Sequence, residues 1–519
     1  MRPQQKSVLI TLQKELQRIL FGPQVLAFLP ALVLAAYWTA GEVALLVVAI
    51  GVPFLALLAG GFQERLQTDS ASLDAVTNLP LRNSLESRIN ERLAKSTTGT
   101  DASAAQAICF IVEIEEFARF RERHSPSEAD TILQRIAERL ETALRDGDLL
   151  TRLGAAQFGI CLGTINRLDL ETGVQVASRL QAAVEDPLSI NGQAVYFNCS
   201  VGFCLASRSP RKVGEALIDN AIIALGEALR NGPSAIRSYS IEMGEQKQKR
   251  DTMRSDSVTA LERGEIIPWF QPQVSTDTGE VTGFEALARW FHPEKGIIPP
   301  GDFLPALEEA GQMQRLGEAM RLQALTALCA WDAAGLNVPC VAVNFTGEEL
   351  RDPRLTEKIR WDLDRFDLDP SRLTVEVLET VIAGAPEDTA ARNLAKLSEM
   401  GCRIDLDDFG TGHASITAIR QFTVNRLKID RSFVSHVDTD AEQQRMVSAI
   451  LTMAERLGLE TLGEGVENSG EHNMLAQLGC GHVQGFGIAR PMPFDQTIDW
   501  IRGHRAKVGK LPHIGRKSG

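Results

Sequence analysis

Between residues 281 and 485 the chain repeats one short pattern that few folds can use. A run of apolar, often β-branched residues ends in a carboxylate, an amide or a lysine. Phe284-Glu285-Ala286-Leu287-Ala288-Arg289-Trp290 closes the first run, and Val341-Ala342-Val343-Asn344 is the second. Leu373-Thr374-Val375-Glu376-Val377-Leu378-Glu379 follows, and then the run from Cys402 to Leu406, which ends in Asp407-Asp408. The last three are Arg426-Leu427-Lys428-Ile429-Asp430, Thr461-Leu462-Gly463-Glu464-Gly465-Val466-Glu467 and Gly481-His482-Val483-Gln484-Gly485. Helical stretches separate several of them, at 317–333, 391–400 and 442–457. Strands alternating with helices, with polar groups at the strand ends, predict a parallel (β/α)8, TIM-like barrel. Residues 257–505 have the length such a barrel needs, about 250 residues.

Asp407-Asp408-Phe409-Gly410-Thr411-Gly412 is the most pointed of these endings. Successive side chains of a regular strand face opposite ways, so two adjacent carboxylates cannot both enter a core. At a strand end they can splay apart, and each can hold a hard cation. Two cations about 4 Å apart clamp a phosphoester for in-line attack. An Asx-turn explains an isolated Asp-Asp-x-Gly equally well. Seven polar strand ends in one segment point instead to a ring of ligands. Carboxylates with one asparagine carbonyl suit Mg²⁺ or Mn²⁺. Zinc fits less well, because His292-Pro293-Glu294 stands alone and no Cys-x-x-Cys occurs.

On these residues, 257–505 resembles the EAL family of phosphodiesterases, which linearise cyclic di-GMP. The likeness extends through Leu261-Glu262-Arg263-Gly264-Glu265, Trp269-Phe270-Gln271-Pro272, the name-giving Glu285-Ala286-Leu287 and Pro300-Gly301-Asp302-Phe303-Leu304-Pro305. It implies that Glu285, Asn344, Glu376 and Asp407 bind a first metal, with Asp407 bridging to a second held by Asp408. Lys428 would orient the attacking water, Glu464 would serve as general base, and Gln484 would fix a water or metal ligand. Glu379 and Glu467 would support the Asp408 loop, while Gln271, Leu287 and Arg289 would line the nucleotide cleft with Gln484. The implied reaction is hydrolysis of cyclic di-GMP to linear pGpG with two divalent cations, Mg²⁺ or Mn²⁺. The alternative is a receptor that binds cyclic di-GMP without turnover. Departures are Thr346 in place of a usual Ser, Gly412-His413-Ala414-Ser415-Ile416 after the Asp pair, and a missing aromatic pair in Gln484-Gly485-Phe486-Gly487-Ile488.

The stretch 72–240 alternates shorter strands and helices and resembles the GGDEF domain of diguanylate cyclases. Its own motif is broken: Gly154-Ala155-Ala156-Gln157-Phe158 lacks both acids. In Val112-Glu113-Ile114-Glu115 a Glu stands for the metal-binding Asp, Arg121 replaces a guanine-reading Asn, and Pro126 replaces a His, while Asp130 is kept. The resemblance therefore implies a domain without cyclase activity that regulates the barrel. Arg145-Asp146-Gly147-Asp148 keeps an Arg-x-x-Asp pattern of the family's inhibitory site, which an ordinary helix-ending turn also explains.

Ahead of this, 43–62 is uncharged and apolar, long enough to cross about 30 Å of hydrocarbon, and 19–38 is similar apart from Gly22-Pro23-Gln24. Lys6, Lys14 and Arg18 before them and Arg65 after predict a two-helix transmembrane hairpin with both ends in the cytoplasm. The expected location is the cell inner membrane, multi-pass. The expected order is a segment 1–18, the hairpin 19–62, a linker 63–71, the GGDEF-like domain 72–240, a linker helix 241–256, the barrel 257–505 and a basic tail 506–519. Eight scattered cysteines suit reduced thiols rather than a disulfide framework. A formal charge of −13 and no basic, aromatic-rich stripe argue against nucleic acid as a partner. The partners expected are cyclic di-GMP, the inner membrane and a second copy of the chain as a homodimer.

Overall fold

The computed structural model describes residues 73–97, 107–163, 169–190, 192–382, 388–410 and 423–508, with Trp38 and Gly41 ahead of them. Two compact units divide the chain, Met1–Lys247 and Gln248–Gly519.

The first unit is built on β1 (Ile108–Ile114), β2 (Leu149–Arg152), β3 (Gln157–Cys161), the small hairpin β4 (Leu188–Ile190) and β5 (Gln193–Val195), then β6 (Cys199–Leu205) and β7 (Ile236–Ser238). The main sheet has the order β2-β3-β1-β6-β7, and β1 runs antiparallel to both neighbours. Alternation along β1 serves two cores. Phe110, Val112 and Ile114 pack with Ile132, Ile136 and Leu140 of the helix Pro126–Ala143. Cys109 and Ile111 pack with Leu85 of the helix Arg82–Thr97 and with Leu217, Ala221 and Leu225 of the helix Gly214–Arg230. Both faces are covered, so the strand is apolar except at Glu113.

The second unit begins within the helix Ile241–Arg263. Its strands are β8 (Ile266–Ser275), β9 (Val281–His292), β10 (Gly296–Ile298), β11 (Val341–Phe345), β12 (Leu373–Leu378), β13 (Arg403–Phe409), β14 (Arg426–Ile429), β15 (Glu460–Gly463) and β16 (His482–Val483). From β9 through β11 to β16 neighbours pair in parallel, and β8 closes the ring against β16 and β9. The result is an eight-strand barrel, with β10 an outer strand beside β9. The wholly parallel barrel expected above needs one correction: β8 is antiparallel to both its neighbours. A parallel connection requires a crossover of a dozen or more residues, and only 276–280 joins β8 to β9. Ser275 donates its backbone N–H to Glu280 across that turn at 2.9 Å, and Gly279 takes the left-handed φ of +69°.

Strand alternation decides what the barrel holds. Leu373, Val375 and Val377 of β12 face the helices and join the hydrophobic core, as do Ile404 and Leu406 of β13 and Leu427 and Ile429 of β14. The intervening residues are polar and buried: Thr374 and Glu376, Asp405 and Asp407, Arg426 and Lys428. Gln271 and Gln273 on β8 and Glu285 on β9 continue the set.

The membrane expectation is also corrected. Among the described residues no helix is long and apolar enough to cross a membrane. The hairpin expected at 19–62 lies outside them, Trp38 and Gly41 apart, and so does the altered segment 412–416.

Candidate metal centre at the mouth of the barrel

Lys428 stands at the middle of the barrel mouth and is wholly buried. Its Nζ lies 2.7 Å from Glu464, 3.0 Å from Glu376, 3.0 Å from Asp407 and 3.6 Å from Glu285. Burial works against its charge, but Asp407, Glu285, Glu376 and Glu464 together raise its pKa well above the ordinary lysine value. Five carboxylates meet here once Asp408 is included, since carboxylate oxygens of Asp407, Asp408 and Glu464 lie within 4.8 Å of one another.

Strand register brings these groups together. Asn344 sits beside Glu376 in the β11–β12 pairing, and Gln271 sits opposite Glu285 in the β8–β9 pairing. Asn344 donates to Glu285 Oε1 at 3.0 Å, and Gln484, just past β16, donates to Glu285 Oε2 at 2.5 Å. The same Gln484 amide reaches Gln271 Oε1 at 3.1 Å. The two adjacent aspartates both reach the mouth because β13 bulges. Its pairing with β14 shifts register between Leu406 and Phe409, and Asp408 takes a left-handed φ of +53°. An extra residue in a strand re-aims a side chain in this way. Gly410 follows at φ +106°, where a Cβ would lie 2.5 Å from the Phe433 ring, so this turn excludes any larger residue.

The charges are out of balance. Burial, then repulsion from Glu285, Asp407 and Asp405, push Glu376 well above the usual carboxylate range despite Lys428. Burial also pushes Glu464 up to about 8, with Lys428 opposing and Asp407 and Glu285 adding to the rise. Asp408 is raised by burial and by its neighbours Asp407 and Asp430. Glu285 goes the other way: burial would raise it, but Lys428 and the amides of Gln484 and Asn344 hold it below its ordinary value. Among the described residues, both oxygens of Glu376 are buried without a hydrogen-bond donor, the Lys428 contact being close in distance only. Buried carboxylates lacking donors, with hard oxygen atoms converging on one point, fit divalent cations of the Mg²⁺ or Mn²⁺ type.

The other expected residues fall around this centre. Gln271, Leu287 and Gln484 line a cleft of about 220 Å³ with Glu285, Asp407 and Glu464. Arg289 does not line it; its guanidinium donates to the Ala288 carbonyl at 2.7 Å. Glu379 accepts from the backbone N–H of Gly410 at 3.3 Å, next to the Asp pair. Glu467 lines the cleft and pairs with Arg431 at 2.5 Å rather than with the Asp408 turn. The sequence reading missed Phe486, a cleft residue with the Arg490 guanidinium 4.5 Å over its ring. It also missed a polar layer beneath the ligands, formed by Gln273, Asp405 and Arg426. The signal was available, because each stands two residues before or after a mouth residue on the same strand (Gln271, Asp407 or Lys428) and so faces the same way.

In the first unit the hairpin Gly154-Ala155-Ala156-Gln157-Phe158 joins β2 to β3. Gln157 donates to Glu113 at 2.7 Å, and Glu115 accepts from Ser200 at 2.6 Å and from the Ser234 backbone at 2.9 Å. Asp148 accepts from the backbone N–H groups of Arg145, at 2.9 Å, and Gly163.

A barrel with one antiparallel strand and a carboxylate-rich mouth follows a five-stranded sheet domain in the chain. Residues 254–491 match the family model "EAL domain", and 71–235 match "Diguanylate cyclase, GGDEF domain". The chain thus carries a GGDEF domain followed by an EAL domain. Among curated relatives, an "Uncharacterized signaling protein" of Caulobacter vibrioides is 32% identical over 83% of this chain and 52% of its own length. The "Bifunctional diguanylate cyclase/cyclic di-GMP phosphodiesterase MucR" of Pseudomonas aeruginosa is 30% identical over 82% of this chain and 61% of its own length. The chain thus spans between half and two thirds of these relatives. A solved structure, "PaMucR Phosphodiesterase, c-di-GMP complex", is 36% identical, covers 47% of this chain and 99% of its own, and superposes with a TM-score of 0.45.

Proposed function

We propose that the chain is a cyclic di-GMP phosphodiesterase that hydrolyses its substrate to linear pGpG with two divalent cations, Mg²⁺ or Mn²⁺. One observation carries this reading. Five carboxylates and one ammonium leave four negative charges at the mouth when all are ionised, the charge that two divalent cations balance. Glu285, Asn344, Glu376 and Asp407 would hold one cation, and Asp407 with Asp408 the other. Cations there polarise a phosphoryl oxygen and lower the pKa of water. The names of the Pseudomonas relative and of the "Cyclic di-GMP phosphodiesterase PdeR" of Escherichia coli, 28% identical, support the same substrate.

The chain's own residues account for the rest. Lys428 keeps its proton and presents a fixed positive charge to a water beside the phosphate. Glu464, whose carboxylate lies 2.7 Å from Lys428 Nζ, takes that water's proton. Water adds to phosphorus, one P–O ester bond breaks, and the departing ribose oxygen takes up a proton to leave as a hydroxyl. Gln271, Leu287 and Phe486 bound the space for the nucleotide. The GGDEF unit is regulatory and without cyclase chemistry, supported by Ala155, Ala156 and Gln157 in place of acids. We place the working domains at 72–240 and 257–505.

The test is to incubate the full chain with cyclic di-GMP and Mg²⁺ or Mn²⁺, with Glu285→Ala as control, and resolve pGpG by chromatography. Metal-dependent pGpG that the variant does not form is expected. Tight binding of cyclic di-GMP with no product would establish a receptor instead.

A further inference from the structure

A chain of buried polar groups runs from beneath the mouth up to Glu285. Arg426 donates through Nε to Asp405 at 2.7 Å and through Nη2 to Gln273 Oε1 at 2.8 Å. Gln273 Nε2 donates to Gln484 Oε1 at 3.0 Å, and Gln484 Nε2 donates to Glu285 Oε2 and Gln271 Oε1. Arg426, Asp405, Gln273, Gln484 and Glu285 are all buried. The strand pairing makes room for this chain, since Gln273 lies opposite Gly283, where a Cβ would come 2.9 Å from Cys340 Sγ and 3.5 Å from Gln273 Oε1.

The direction of the chain follows from hydrogen-bond chemistry. A guanidinium only donates and cannot lose its proton in a protein. Gln273 must therefore turn its oxygen to Arg426 and its NH₂ to Gln484. Gln484 then presents its oxygen to Gln273 and its NH₂ to Glu285. The far end agrees: Gln271 spends its own NH₂ on the Ala489 carbonyl at 3.0 Å, leaving its oxygen for Gln484. Neither glutamine can flip without setting acceptor against acceptor or donor against donor.

We propose that Arg426, fixed by Asp405, is a positioning residue that polarises the Gln273–Gln484 amide relay and so holds Glu285 oriented as a cation ligand. The inference rests on the divalent-cation reading of the mouth. It assigns work to Gln273, Asp405 and Arg426, none of which touches a cation or substrate. Outer groups that orient ligands change metal affinity by about 10–100-fold when altered.

Mn²⁺ titration of the full chain by calorimetry tests it, beside thermal unfolding of the metal-free protein. Gln273→Glu keeps the size and the bond to Arg426 but puts an acceptor against Gln484. Gln273→Met cuts the relay without reversing it. Gln273→Glu should weaken Mn²⁺ binding about 10–100-fold, and Gln273→Met by a smaller factor. Equal losses for both would reduce Gln273 to packing and overturn the relay, as would wild-type affinity in either. If Gln273→Glu does not fold, the double variant Asp405→Leu with Arg426→Met reads the relay from its other end. That variant is expected to lose about 10-fold in affinity, and wild-type affinity there overturns the proposal. A wild-type chain that binds no Mn²⁺ fails the cation reading itself. One that binds Mn²⁺ but releases no pGpG fails the hydrolase reading while the relay stands.

Discussion

Two corners of this molecule gather acidic groups at strand ends, and they treat them in opposite ways. In the GGDEF unit three carboxylates beside the sheet are spent on internal donors: Glu113 on Gln157, Glu115 on Ser200 and the Ser234 backbone, Asp148 on the Arg145 and Gly163 amides. At the barrel mouth Glu376 has no hydrogen-bond donor among the described residues, and one ammonium faces four carboxylates. A satisfied carboxylate is structural. Crowded and unsatisfied ones stay ionised only if something brings positive charge, which is why the mouth reads as a cation site and the hairpin does not.

The largest expected effect breaks the barrel side of that contrast. Glu464→Gln keeps the size and removes the base, so pGpG formation should fall about 10²- to 10⁴-fold while Mn²⁺ still binds. Measuring product by chromatography and Mn²⁺ by calorimetry on the same preparation separates the two. An unchanged rate would take Glu464 out of the chemistry.

The next effect is on stability. Glu464 has an ordinary value of 4.5 and lies at about 8 in the fold. The folded protein therefore holds this proton more tightly than the unfolded chain. Its contribution is fully present below about pH 4.5 and is lost as the pH rises through about 8. Metal-free protein should lose on the order of a few kcal/mol between those limits, less if the coupled carboxylates share the proton. Thermal unfolding across pH 5 to 8 checks this. Mn²⁺ should flatten the profile, and Glu464→Gln should flatten it without metal.

These mouth residues were legible in the sequence because a polar or charged side chain at or near the end of an apolar run has no ordinary place in a core. Glu285, Asn344, Glu376, Asp407, Lys428, Glu464 and Gln484 were all anticipated on that ground, and the fold brings them together. The layer below was not, because Asp405, Arg426 and Gln273 resemble surface residues until the barrel turns their face inward. The antiparallel β8 was missed although Thr276-Asp277-Thr278-Gly279 is a turn too short for a crossover. Arg289 was placed at the cleft by family likeness; its guanidinium donates to the Ala288 carbonyl and remains within electrostatic reach of Glu285.

A smaller effect sharpens the hairpin side. Gln157→Glu sets a second carboxylate against Glu113, whose present partner lies at 2.7 Å. Stability should fall by about 1 kcal/mol, the cost of a half-buried acceptor losing its donor. If missing donors are what make a cation site, millimolar Mn²⁺ should restore the loss, while wild type shows no such response in this unit. Tryptic protection of the GGDEF unit with and without Mn²⁺ reads it directly. A loss that Mn²⁺ leaves untouched would mean that crowding carboxylates is insufficient without the bulged geometry of β13.

That geometry sets the smallest effect. Asp408 reaches the mouth only through a φ of +53°, a conformation open to glycine and strained for alanine. Asp408→Gly and Asp408→Ala remove the same carboxylate, so their rates and Mn²⁺ affinities should match. Their metal-free stabilities should not. Glycine relieves the left-handed strain, and against its greater unfolded-state entropy it should remain ahead by about 1 kcal/mol in denaturant unfolding. Were alanine equal or better, the bulge would not hold in solution, and the adjacent aspartates would fall back to opposite faces of the strand. The pair can then no longer converge, and the charge imbalance that distinguishes the mouth from the hairpin shrinks by one carboxylate.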